Sequence, residues 1–69
     1  MKAYSAKEII TLLKKNGWSL ERIEGSHHIF TNPNFEEVIS IPVHSGKSLK
    51  KGLLHAILKA AGLNIIIGL

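Results

Sequence analysis

Gly25-Ser26 narrows the fold more than any other feature, because it stands between two strand-like runs, Trp18 to Glu24 and His27 to Thr31, with no longer connection between them. A glycine-containing step this short turns the chain back on itself, so the two runs are expected to pair antiparallel. Trp18-Ser19-Leu20-Glu21 alternates apolar and polar residues, which predicts a half-buried strand with Trp18 and Leu20 facing the core. Asn32-Pro33-Asn34 marks the next turn, since proline fixes φ and asparagine tolerates left-handed geometry. Glu37 to Val43 is rich in β-branched residues and reads as a third strand. Pro42 has no N–H to donate to a ladder, so it marks an edge or the end of that strand.

Helical patterns flank these strands. Ser5-Ala6-Lys7-Glu8 fits a capping box, with Tyr4 and Ile9 placed for a hydrophobic staple. Ala6, Ile9, Ile10 and Leu13 then recur at helical spacing, and Asn16-Gly17 is the expected stop. After the third strand, Ser48 is the expected N-cap of a second helix running to about Ala61. Its apolar stripe is Leu49, Leu53, Leu54, Ile57, Leu58 and Ala61, and Gly62 ends it. The order is α-β-β-β-α, an α+β domain over residues 1–69 with a three-stranded antiparallel sheet and both helices on one face. The other face is left to solvent.

Size and composition exclude many alternatives. A 69-residue chain buries only about 60% of its unfolded surface, so the core is small and a second domain does not fit. The chain has no cysteine, hence no disulfide framework, thiolate ligand or cysteine nucleophile, and a reducing cytoplasm is the expected location. No apolar core of a signal peptide is present, and the apolar tract from Leu53 to Leu69 is interrupted by His55, Lys59 and Asn64. A membrane span is not expected. The tail Asn64-Ile65-Ile66-Ile67-Gly68-Leu69 is too apolar for a frayed end; it suits either a cover for the core or a homo-oligomer contact.

The net charge of +4 is unevenly placed. Through Glu37, Lys2, Lys7, Lys14, Lys15 and Arg22 balance Glu8, Glu21, Glu24, Glu36 and Glu37. Beyond it the formal charges are Lys47, Lys50, Lys51 and Lys59, so the second half favours an anionic partner. Lys47, Lys50 and Lys51 cluster where a helix start already offers free amides and a positive dipole end, which suggests a phosphate clamp; a solvated helix start is the competing reading. Gly46-Lys47-Ser48 is not a Walker motif, because Ile41 stands where the first glycine belongs.

His27 and His28 are adjacent in a strand and therefore point to opposite faces. Phe30 is the evident core residue, which puts His28 inside and His27 outside with Ile29. An exposed imidazole, with an ordinary pKa of about 6.5, is present in both protonation states near neutrality and suits general acid or base work. A surface histidine without a role is the competing reading. His27, His28, His44 and His55 do not form a recognisable metal set, so neither a metal nor a cofactor is expected. Ser26 and Ser45 lack triad partners, Glu36-Glu37 look solvated, and four aromatic residues make no base-stacking platform.

Taken together, the helix ending Asn16-Gly17-Trp18, then Gly25-Ser26-His27-His28-Ile29-Phe30, then Ile39-Ser40-Ile41-Pro42-Val43-His44, and the helix closing Ala61-Gly62-Leu63 closely resemble the HicA (YcfA-like) toxins. The resemblance runs from Ser5 to Leu63. It implies a fold like the double-stranded-RNA-binding domain, a ribonuclease that cleaves mRNA and stalls translation, and a cognate HicB-like antitoxin as partner. It also implies that the histidine following Gly-Ser, here His27, is catalytic. The reading that follows is a metal-independent endoribonuclease with His27 as general acid/base, and with Lys47, Lys50, Lys51 and Arg22 holding phosphates. The alternative is a non-catalytic RNA-binding module of the same fold.

Overall fold

The computed structural model describes residues 4–44 and 48–63. Its elements are α1 (Ala6–Lys15), β1 (Ser19–Glu24), β2 (His27–Thr31), β3 (Ile39–Pro42) and α2 (Lys51–Ala60). The strands form one antiparallel sheet in the order β1-β2-β3, the arrangement expected from the sequence.

The capping box at the start of α1 is formed. Ser5 Oγ accepts from the Glu8 amide at 3.2 Å, and the Ser5 amide donates to Glu8 Oε1 at 3.0 Å, so two otherwise orphaned donors are satisfied. The helix closes at Asn16, and Gly17 follows with φ +91°, a conformation that a Cβ would strain. Asn32, which is buried, braces this corner: its Nδ2 donates to the Asn16 carbonyl at 3.3 Å, while its Oδ1 accepts from the Asn34 amide at 2.9 Å.

Cross-strand register defines two faces. Phe30 lies opposite Leu20 and Ile39, and His28 lies opposite Ile23 and Ile41. This face carries the core, in which Phe30, Ile39 and Ile41 pack with Ile9 and Leu13 of α1 and with Leu54, Ile57 and Leu58 of α2. Burying side chains of this size stabilises the fold by about 1.5–3 kcal/mol each relative to leaving them exposed. The opposite, open face carries His27 between Glu24 and Pro42, and Ile29 between Arg22 and Ser40.

Several expectations are corrected. Trp18 is buried as expected but precedes β1, whereas Leu20 is 41% exposed. Leu20 does share Phe30's face; the helices pack over β3 and do not cover it. A register shift between Leu20 and Arg22 accommodates Glu21, and this bulge puts Leu20 and Ile23 on one face although they are three residues apart. Ile29 is on the open side as assigned, opposite Arg22 and Ser40, yet it is only 6% exposed. The third strand is shorter than Glu37 to Val43, and Pro42 is its last residue.

The second helix begins later than expected. Ser48 is not its N-cap: it forms a β-bridge with Ser5, and the Leu49 amide donates to the Tyr4 carbonyl at 2.8 Å. These bonds hold the backbone extended through Lys50, which becomes the N-cap, without a side-chain hydrogen bond. Leu53 is 37% exposed rather than part of the core stripe. Lys47 and the tail 64–69 lie outside the described residues. Among the described residues, no helix is long and apolar enough to cross a membrane.

Candidate active site and phosphate-binding surface

His27 opens β2 directly after the Gly25-Ser26 turn, where Gly25 adopts φ +60°. Its backbone is fixed from both sides. Glu24 and Pro42 are its partners in the neighbouring strands, and the Val43 amide donates to the Ser26 carbonyl at 2.7 Å, fastening the turn to the end of β3. The His27 side chain is exposed on the open face. A solvent-facing imidazole on a rigid strand start suits proton transfer with a bound substrate. His28 points to the core side, partly buried, and its Nδ1 has no hydrogen-bond partner among the described residues. The two rings therefore lie on opposite faces, as strand alternation predicts.

Arg22 stands on the same open face, opposite Ile29. Its guanidinium is engaged by Glu24 through Nε and by Glu21 through Nη1. The hydrogen bond that Arg22 donates to Glu24 and that residue's negative charge, reinforced by Glu21, raise the Arg22 pKa above its ordinary value. Arg22 is thus a permanent cation whose two carboxylate pairs use Nε and Nη1, two of the three nitrogens of a group with five N–H donors.

Lys50 and Lys51 lie at the start of α2, both exposed, and the first turn of that helix holds no acidic residue. Free amides, the positive end of the helix dipole and two ammonium groups coincide there. His55 is exposed on α2, outside the core cluster. Among the described residues, no three His, Cys, Asp or Glu side chains converge in a way that could hold a metal ion.

The structure adds a feature that sequence reasoning did not single out. Pro42, His44, Ser48, Leu49, Lys50 and Leu53 line a cleft of about 290 Å³ beside the end of β3. Pro42 is also the strand partner of His27, so a single residue links the open face to a cleft that Lys50 borders. The available signal was modest: Pro42 and His44 are two residues apart in an extended segment and so tend to share a side. Leu53 carried no signal, because its helical spacing marked it as core.

Two comparisons bear on identity. Residues 6–63 match the family described as HicA toxin of bacterial toxin–antitoxin. No curated protein matches the chain. The matched region begins at the first residue of α1 and ends just beyond α2, and so takes in every strand and helix described above. This chain therefore belongs to the HicA toxin family, the toxin members of bacterial toxin–antitoxin pairs, whose counterpart is a cognate antitoxin.

Proposed function

We propose that this toxin is a metal-independent endoribonuclease that cleaves mRNA in the cytoplasm and so inhibits translation, with His27 as its general acid/base. The observation that carries the reading is the placement of His27, exposed at a doubly anchored strand start on the open sheet face. In the proposed step, the neutral His27 imidazole takes the proton of a ribose 2′-hydroxyl as the 2′-oxygen bonds to the adjacent phosphorus. The bond from phosphorus to the 5′-oxygen breaks, and that oxygen takes a proton from the imidazolium or from water. The products are a 2′,3′-cyclic phosphate and a 5′-hydroxyl.

Negative charge develops on the non-bridging phosphate oxygens in this step, and cations near them stabilise it. Lys50 and Lys51 at the start of α2 are suited to that role, with Lys47 assigned on sequence alone and Arg22 contributing through guanidinium donors that its two carboxylate pairs do not use. A lone imidazole without a dedicated second acid implies slow turnover. A HicB-like antitoxin that covered the open face would silence the toxin by burying His27.

The test is induced expression of the wild type beside His27→Ala, reading growth and the amount of full-length mRNA. Wild-type expression is expected to arrest growth and deplete mRNA. His27→Ala, shown by its melting curve to be folded, is expected to permit growth and to cleave RNA in vitro about 10²–10⁴-fold more slowly, the usual contribution of a general acid/base. RNA affinity is expected to stay close to that of the wild type. A folded His27→Ala protein that still cleaves removes His27 from the chemistry. A wild type that binds RNA without cleaving it replaces the enzyme with an RNA-binding module.

A further inference from the structure

The cleft beside β3 combines two kinds of wall. Pro42, Leu49 and Leu53 are apolar, whereas His44, Ser48 and Lys50 carry hydrogen-bonding groups, and no acidic residue lines it. Leu53 is notable because it has the spacing of a core residue yet remains 37% exposed at the cleft. At about 290 Å³ the cleft falls at the lower limit of small-molecule sites, about 300–1,000 Å³, so it suits something the size of one nucleoside. A flat ring with a polar edge, attached to an anionic backbone, matches this lining. Such a ring would meet Pro42 and Leu53, its edge His44 and Ser48, and the attached phosphate Lys50. Location supports the same occupant, since Pro42 pairs directly with His27 across β2 and β3.

We infer that the cleft formed by Pro42, His44, Ser48, Leu49, Lys50 and Leu53 is a nucleobase subsite, which takes the base of a nucleotide adjoining the phosphate presented to His27. The assignment to RNA cleavage rests on the endoribonuclease reading above; the capacity to bind a base does not. The subsite gives the toxin a physical means of preferring some cleavage positions, because only a base that fills the cleft brings its neighbouring phosphate into register with the imidazole. His44 and Leu53 act here as binding residues and have no part in the proton transfers.

Two measurements test this separately from the catalytic reading. In the first, the four nucleoside 5′-monophosphates and ribose 5-phosphate are titrated into the wild-type chain while NMR follows the Leu53 methyls and the His44 ring. The nucleotides are expected to shift both signals and ribose 5-phosphate to leave them in place; equal shifts from ribose 5-phosphate, or none from any nucleotide, overturn the subsite. In the second, kcat/KM is measured on an oligoribonucleotide and on its counterpart abasic beside the cleavage position, for wild type, Leu53→Ala and His44→Ala. Removal of the base, or either substitution, is expected to lower the wild-type value about tenfold, the scale of one base's contacts. The substitutions are expected to have no further effect on the abasic substrate. Undiminished cleavage of the base-containing substrate by both variants overturns the subsite. A wild type that shows the nucleotide shifts but cleaves nothing sinks the catalytic reading instead and upholds base binding.

Discussion

Ile23 and Ile41 flank His28 from opposite sides on the same face of the sheet, yet Ile41 is fully buried and Ile23 is 55% exposed. Both are isoleucines in edge strands, so neither residue type nor strand pairing accounts for the difference. Helix placement does: both helices pack over β3, and β1 is exposed along its whole length. The β3 side supplies the core and the cleft beside α2. The β1 side supplies the charged cluster of Glu21, Arg22 and Glu24, with its apolar Leu20 and Ile23 left uncovered. An apolar side chain on the inner face of a sheet is part of the core only where a second layer reaches it.

The most direct way to break this comparison is to truncate both isoleucines. Ile41→Ala is expected to cost about 2–5 kcal/mol, since it opens a cavity beneath the helices. Ile23→Ala is expected to stay within about 0.5 kcal/mol, as surface changes do. Urea unfolding of both variants provides the check, and equal losses would show that β1 is covered in solution. A smaller effect is expected at Gly17, which holds the corner leading into β1. Gly17→Ala would have to keep φ +91° with a Cβ only 3.2 Å from Asn32 Nδ2, so a loss of about 1 kcal/mol or more is expected in thermal melts.

Ser5→Ala sharpens the other side of the comparison. Loss of the capping-box hydroxyl is expected to cost about 1 kcal/mol. Ser5 also bridges to Ser48, and Tyr4 accepts the Leu49 amide, so the approach to α2 and the cleft should loosen with it. Hydrogen exchange at the Leu49 amide is the readout: it should accelerate in Ser5→Ala while exchange at the amides paired between β1 and β2 is unchanged.

The alternation of His27, His28 and Phe30 was enough to send one imidazole outward and the other toward the core, because side-chain direction in a strand follows from backbone geometry alone. The same rule failed at Leu20, where the bulge at Glu21 preserved the inward direction but no helix lay above it. At Ile29 the rule gave the right face but not the exposure, since that side chain is buried although it lies on the open side. Ser48 is the instructive error in the helices: its type favours an N-cap, but pairing with Ser5 and the bond between Leu49 and Tyr4 hold that segment extended. Asn32 was read only as a turn residue, and Phe35 was given no place in the fold. Asn32 proved to brace the end of α1, and Phe35 stacks on Trp18 with ring centroids 4.9 Å apart.

What the sequence determined by itself was local: the cap and stop of α1, the turn at Gly25-Ser26, the order of the elements, the opposed histidines and the basic start of α2. Each follows from periodicity or from the conformational limits of a few adjacent residues, which act over one or two turns of chain. Tertiary structure alone decided that both helices pack over β3, that Leu53 lines a cleft instead of filling the core, and that Pro42 joins that cleft to the strand of His27. Those outcomes depend on which distant surfaces meet, and burial and cavities are properties of the meeting surfaces rather than of any one segment.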